Sequence, residues 1–299
     1  MDVDTELQEV FAAIRELDLH GLRIASTIRR TFDQLYDGRR TGRYRWNQLH
    51  KTEKTHCGTV LEINLQREFA FEDGDVLDYL IAGHEVDCKY SQSLGGWMIP
   101  QEAMGHLCLL VTADDQNAKW SCGLIRISDA VLSPGRNRDT KRSLSADGRE
   151  QISWLFQDAD LPPNVLLELP PSDVDELMAL PDGTKRMNQL FRVGQGRRIT
   201  GSVIETVGQQ QDSKRRVRGG AARSRLQAEG IIILGDYSAD QEIARQLSLP
   251  VPQEGEFVSI RVAAASTAGA GVATIDGRLW RVATATDPIT PAPTTPGQT

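Results

Sequence analysis

The sequence lacks the features that mark membrane and secreted proteins. No apolar run in its 299 residues approaches the roughly 20 needed to cross a bilayer. The acidic N-terminus does not have the pattern of a secretory signal. There are only four cysteines, Cys57, Cys88, Cys108 and Cys122, too widely spaced for a zinc-type pair. Three of them sit in apolar, strand-like runs, so free buried thiols in a reducing cytoplasm are expected rather than a disulfide framework. The five histidines are scattered, and no internal repeat is present. Gly194-Gln195-Gly196 is too short to be a dinucleotide loop. The remainder is ordinary: 25% charged and 39% hydrophobic residues describe a globular protein, and the length suggests two domains.

Positive charge is scarce overall but not locally. The net charge is −7, which would argue against a nucleic-acid partner if it were evenly spread. From Pro181 to Gly235, however, eleven Lys and Arg stand against four Asp and Glu, a net of +7, so the rest of the chain carries −14. A basic patch on an acidic protein is an electrostatic footprint for DNA.

Apolar spacing predicts one or two helices over residues 5–36, interrupted near Gly21, with Leu7, Val10, Phe11, Ile14 and Leu17 on one face. The basic, aromatic stretch Arg39–Trp46 follows; it can contact a DNA backbone, and the alternative is a solvated loop with an aromatic anchor. Strands are expected at Val60–Leu65, Val76–Ile81, Val86–Ser91, Leu107–Thr112 and Trp120–Ile127, with a short helix at Ile99–Met104. Residues 133–149 read as a mobile polar loop. On this basis a first domain spans 1–157 and a Pro-punctuated linker 158–183, with a short helix at Val174–Ala179. A second domain covers 184–286. The Pro- and Thr-rich tail 287–299 has nothing to bury and is expected to be disordered.

The chemistry concentrates in Asp78-Tyr-Leu-Ile-Ala-Gly-His-Glu-Val-Asp87-Cys88-Lys89. With residues 82–85 as a hairpin loop, Asp78 falls opposite Lys89, and Asp78, Asp87 and Lys89 share one sheet face. Leu77 and Cys88 then share the other, toward the core. On the expected strand Val60–Leu65, Glu62 lies opposite the apolar side and can join the acids. Two or three carboxylates suit Mg²⁺, a hard cation that takes oxygen ligands and keeps several waters. A lysine beside them can orient or help deprotonate a water, or neutralise charge in a transition state. The bland alternative is a polar strand face with a surface ion pair.

In the second domain, Thr184 and Thr200 can cap helices, and residues 220–229 suggest a third helix carrying Arg223 and Arg225. Ile231–Leu234 is a β-branched strand directly after it. Helix, helix, basic helix and strand is the order of a winged helix-turn-helix, which sets its basic helix in the major groove. Lys214, Arg215, Arg216 and Arg218 precede that helix and suit phosphates. Val272–Ile275 and Leu279–Val282 pair naturally across Asp276-Gly277. Leu35-Tyr36-Asp37-Gly38 looks like a fragment of the ligase motif Lys-x-Asp-Gly, but leucine replaces the nucleophilic lysine and cannot form a phosphoramidate. A strand-joining enzyme is disfavoured for that reason, and Gly38 reads as a helix cap.

Together these residues resemble the NaeI type of restriction endonuclease. The resemblance is carried by Glu62, Asp78 and Asp87-Cys88-Lys89, with Thr52 and Leu35-Tyr-Asp-Gly38 upstream and Gly219-Gly220-Ala-Ala-Arg223-Ser-Arg225-Leu-Gln-Ala-Glu-Gly230 downstream. It implies an α+β restriction-endonuclease core followed by a winged helix-turn-helix domain like that of the catabolite activator. It also implies a Mg²⁺-dependent type II enzyme, of the kind stimulated by a second DNA copy. That enzyme would be a homodimer holding two duplexes of double-stranded DNA and cutting a GC-rich palindrome. Glu62, Asp78 and Asp87 become metal-site acids and Lys89 the catalytic lysine. The alternative is a non-catalytic DNA-binding regulator that keeps a nuclease-like domain.

Overall fold

A computed structural model of the chain describes residues 4–210, 217 and 221–296. These residues separate into two compact units, one of 1–35 and 45–163, the other of 36–44 and 164–299. The architecture is mixed α/β. Among the described residues no helix is long and apolar enough to cross a membrane, and all four cysteines are free and buried.

The first unit opens with α1 (Thr5–Leu17) and α2 (Leu22–Tyr36). Asp4 caps α1 by accepting the Leu7 N–H at 3.0 Å. Gly21 makes the break between the helices. Its φ is +72°, and a Cβ there would stand 2.9 Å from the rings of Phe156 and Trp120. The short α3 (Gly38–Thr41) belongs to the second unit. The first unit resumes with α4 (Lys51–Phe69), then β1 (Glu72–Asp73), β2 (Tyr79–Ile81), β3 (His84–Ser91), β4 (Leu107–Asp114) and β5 (Lys119–Arg126). It closes with α5 (Ala146–Glu150) and β6 (Ser153–Asp160). The six strands lie in sequence order, with β3 and β4 parallel and every other pair antiparallel. Leu107 to Val111 and Trp120 to Ile125 are buried along both faces, as befits central strands.

Three local expectations fail here. Val60–Leu65 is helical, not a strand, so Glu62 sits on α4. The cause is visible in the burial: Cys57, Leu61, Leu65 and Phe69 face inward at helical spacing, while Ile63 is 37% exposed. A chance alternation of Leu61, Ile63 and Leu65 mimicked period two. A capping box, with the His50 N–H donating to Glu53 at 2.8 Å, starts the helix. Residues 76–78 precede the strand rather than form it, and the hairpin turn is Ala82-Gly83, with φ of +52° and +81°. Ile81 therefore pairs with His84 and Tyr79 with Val86. Compared with a four-residue loop the register moves by two, which keeps every side chain on its original face. Residues 133–149, expected as a mobile loop, are tied down by bridges of Ile99 to Arg142 and Leu132 to Leu144, and they include α5.

The second unit contains α6 (Val165–Glu168) and α7 (Pro171–Ala179), then α8 (Gly183–Val193), β7 (Arg198–Ile199), α9 (Gly201–Gly208) and α10 (Ala222–Gln227). There follow β8 (Ile231–Leu234), α11 (Ser238–Gln246), β9 (Phe257–Ala264), β10 (Val272–Ile275) and β11 (Arg278–Val282). Both β7 and β8 pair antiparallel with β9, and β10 forms a hairpin with β11 across Asp276-Gly277. Asp182, not Thr184, caps α8, while Thr200 caps α9 as expected. Residues 164–179, read from sequence as linker, supply Val165, Leu166, Val174 and Leu177 to the core beside Met187, Phe191 and Ile204. The described part of the tail is ordered: Ala292 is buried and exchanges main-chain and side-chain hydrogen bonds with Gln227 at 2.8 and 2.9 Å. Prolines hold that segment extended, so ordering it costs little chain entropy.

Candidate active site

Strand β3 builds the site. Asp87 and Lys89 are two apart and share a face, and Asp78 arrives from the loop before β2. The Lys89 Nζ donates to Asp87 Oδ1 at 2.5 Å and to the Cys88 carbonyl at 2.9 Å, and lies 3.5 Å from Asp78 Oδ2. That same Asp78 oxygen accepts the Cys88 N–H at 2.7 Å, which folds the carboxylate over β3. Asp87 is 3% exposed, with the Cys108 thiol 3.6 Å from its other oxygen. Glu62 is half-buried on α4, and its carbonyl accepts the Tyr79 hydroxyl at 2.8 Å, which ties helix to hairpin.

The electrostatics mark this as a strained cluster of acids. Burial, against the pull of Lys89 and with the help of Asp78, pushes the Asp87 carboxyl up to about 6. Glu62 is also raised, first by burial and then by Asp78. Burial works against the Lys89 charge, but Asp87 and then Asp78 outweigh it, and the ammonium is held above its ordinary value. A carboxylate that is costly to ionise beside two more acids is a place where additional positive charge is stabilising.

The donor set fits Mg²⁺. Two carboxylate oxygens and a main-chain carbonyl already converge on one cationic group, the Lys89 ammonium. Among the described residues no three His, Cys, Asp or Glu side chains close around one point. A cation held here would thus be bound by one or two carboxylates, with coordination left open to water and phosphate, as Mg²⁺ prefers.

One contributor had no signal in the sequence pattern. Glu85, read as a turn residue, accepts main-chain N–H groups from Asp75 at 2.7 Å, Val76 at 3.3 Å and Leu77 at 2.8 Å. It thereby shapes the loop that delivers Asp78, and those donors hold its carboxyl below the ordinary range. Only the two-residue turn, which sets Glu85 on β3 facing that loop, makes the role visible. Thr52 is exposed in the first turn of α4, about 15 Å along the axis from Glu62.

The basic residues of the second unit divide. Lys214, Arg215, Arg216 and Arg218 lie outside the described residues. Arg225 is exposed on α10. Arg223, expected to face DNA, is instead 1% exposed and ion-paired at 3.1 Å with the fully buried Asp240. Asp240 also accepts the Gly235 N–H at 2.8 Å. Two residues apart on a helix lie on different faces, so Arg223 and Arg225 do not point the same way.

The chain is similar to known proteins along almost its whole length. The family described as restriction endonuclease NaeI matches residues 8–291. The type II restriction enzyme NaeI of Lentzea aerocolonigenes is 47% identical over 302 residues, covering 98% of this chain and 95% of that protein.

Proposed function

The chain belongs to the NaeI family of restriction endonucleases and is a type II enzyme that cleaves DNA; from that premise we propose that it hydrolyses both strands of a GC-rich palindrome in a Mg²⁺-dependent reaction centred on Asp78, Asp87 and Lys89. The observation that carries this reading is the convergence of the Asp78 and Asp87 carboxylates and the Cys88 carbonyl on the Lys89 ammonium, in the middle of β3.

Asp78 and Asp87, with the Cys88 carbonyl, would hold Mg²⁺, and the Glu62 carboxylate on α4 adds negative charge close enough to be felt by both acids and by Lys89. When bound, the ion supplies polarisation of the phosphoryl oxygen and activation of a water. Asp87 holds no proton in that state, because its carboxylate is then paired with positive charge. Lys89 keeps its proton, orients the attacking water and stabilises the charge that builds on the phosphate. Hydrolysis forms a bond from water oxygen to phosphorus and breaks the bond to the leaving sugar oxygen. A two-fold homodimer presents one such site to each strand of a palindrome.

In the second unit, the order α8, β7, α9, α10, β8, α11, β9, with β9 between β7 and β8, supports a winged-helix reading in which α10 enters a groove of the duplex and α11 is an added helix between the two strands. Arg225 and the run Lys214, Arg215, Arg216 and Arg218 are the proposed DNA contacts. Arg223 becomes a positioning residue that holds α10 through Asp240. This unit takes a second copy of the target and stimulates cleavage, by binding the active arrangement more tightly than the inactive one.

Plasmid cleavage with Mg²⁺ and with EDTA tests the reading, with the cut ends mapped. Discrete, Mg²⁺-dependent fragments are expected, and their formation in single turnover should speed up when a short target duplex is added. Binding to the plasmid without cleavage would instead favour a regulator that has lost catalysis.

A further inference from the structure

Residues 36–44 belong to the second unit although their neighbours on both sides belong to the first. The segment is tightly built in. Tyr44 is buried in the second unit's core, and its carbonyl accepts the Asn164 side-chain amide at 3.1 Å. Helix α3 runs beside the last turn of α9. At Gly38 a Cβ would stand 2.0 Å from Thr206 Oγ1 and 2.8 Å from its Cβ, so only glycine permits the contact. At Gly42, with φ of +72°, a Cβ would stand 2.8 Å from the Gln209 side chain. The Gly42 N–H donates to the Gly38 carbonyl at 2.7 Å, and the Thr41 hydroxyl donates to the Tyr36 carbonyl at 2.7 Å.

This rigid turn holds Arg39 and Arg40 outward. Both are exposed, Arg40 with 75% of its side chain free and only a 3.7 Å approach to Asp37. Arg39 has no ion-pair partner among the described residues. The segment carries Arg39, Arg40 and Arg43 against the single acid Asp37. Gln209, which touches Gly42, is the residue from which the chain leads on to Lys214, Arg215 and Arg216. An acidic protein has thus fixed extra positive charge beside the helix that leads into its most basic run. Like charges placed together repel unless a polyanion lies across them.

We propose that α3 is part of the duplex-binding surface of the second unit, with Arg39 and Arg40 contacting DNA phosphates. The proposal rests on the reading that this unit binds DNA. Because α3 is already ordered by its packing on α9, such contacts need little further loss of chain freedom. They carry no base information, so they strengthen binding to every sequence alike.

The test is equilibrium binding of a fluorescent duplex to the full chain in EDTA, across a salt series. Removing one cation–phosphate pair should lower the slope of log affinity against log salt by about 0.9, so Arg39→Gln with Arg40→Gln should lower it by about 1.8. Arg39→Lys with Arg40→Lys keeps the charges and should keep the slope. An unchanged slope in the Gln pair, while Lys214→Gln with Arg215→Gln and Arg216→Gln lowers it, overturns the proposal and leaves the second unit's role intact. Neither set changing the slope overturns both. A weaker affinity at the original slope in the Gln pair assigns α3 a structural role and also overturns the proposal.

Discussion

Replacing Asp87 by Asn should stabilise the metal-free protein, and the size and pH dependence follow from its surroundings. The folded chain holds the Asp87 carboxyl at about 6 against an ordinary 3.8, with the attraction of Lys89 already included. Below 3.8 both folded and unfolded chains keep the proton and no penalty exists. As pH rises past that value, the unfolded chain releases its proton first, so folding becomes progressively less favourable until pH passes about 6. Above that, the penalty is flat at about 3 kcal/mol. Asparagine carries no charge and has nearly the same shape, so it removes this cost. The expected gain is about 3 kcal/mol near pH 7.5, about half that near pH 5, and close to nothing near pH 3. For a domain of this size the neutral-pH gain is about 6–12 °C in melting temperature. Differential scanning calorimetry in EDTA measures it. Ca²⁺ should then raise the melting temperature of the unaltered chain and leave Asp87→Asn unmoved, since a ligand stabilises only a state it binds. An Asn variant that melts lower than the parent near neutral pH, or gains equally at every pH, would refute the electrostatic account of the cluster.

Other outcomes follow from the same geometry. Lys89→Met should fold and bind DNA in EDTA, yet lose cleavage by about 100-fold or more in single turnover; loss of its cooperative melting would make the residue structural. Glu85→Ala should release the loop before Asp78 and raise the Mg²⁺ concentration needed for half-maximal rate, with the rate at saturating Mg²⁺ falling less; an unchanged Mg²⁺ requirement would remove its positioning role. Arg223→Ala removes the positive charge opposite buried Asp240 and should cost about 3–5 kcal/mol on chemical denaturation, whereas Arg223→Met with Asp240→Leu should recover most of it. If Arg223→Ala leaves stability intact but weakens DNA binding, the arginine faces the duplex after all.

The grouping of Asp78, Asp87 and Lys89 was legible in the sequence because strand parity survives a two-residue error in register. Asp78, Asp87 and Lys89 stay on one face whether the turn has four residues or two, whereas a one-residue slip would have dispersed them. Glu62 reached the site by the wrong route. The apolar run around it satisfies both periods over a short stretch, and only the full helix from Lys51 to Phe69, with Ile63 turned outward, separates them. Arg223 and Arg225 look alike in sequence, but their fate depends on Asp240, a partner seventeen residues away that no local pattern announces. The attachment of residues 36–44 to the second unit was equally hidden, because it depends on Gly38 meeting Thr206 across the length of the first unit's sequence.

The central claim is that Asp78 and Asp87 form the cation-binding heart of the cleavage site. Single-turnover cleavage with Mg²⁺, at enzyme concentrations that saturate the substrate, tests it most directly in Asp78→Ala and Asp87→Ala. Each variant should bind duplex DNA in EDTA as the parent does and cut it slower by several orders of magnitude. Cutting by either variant at close to the parental rate would contradict the assignment.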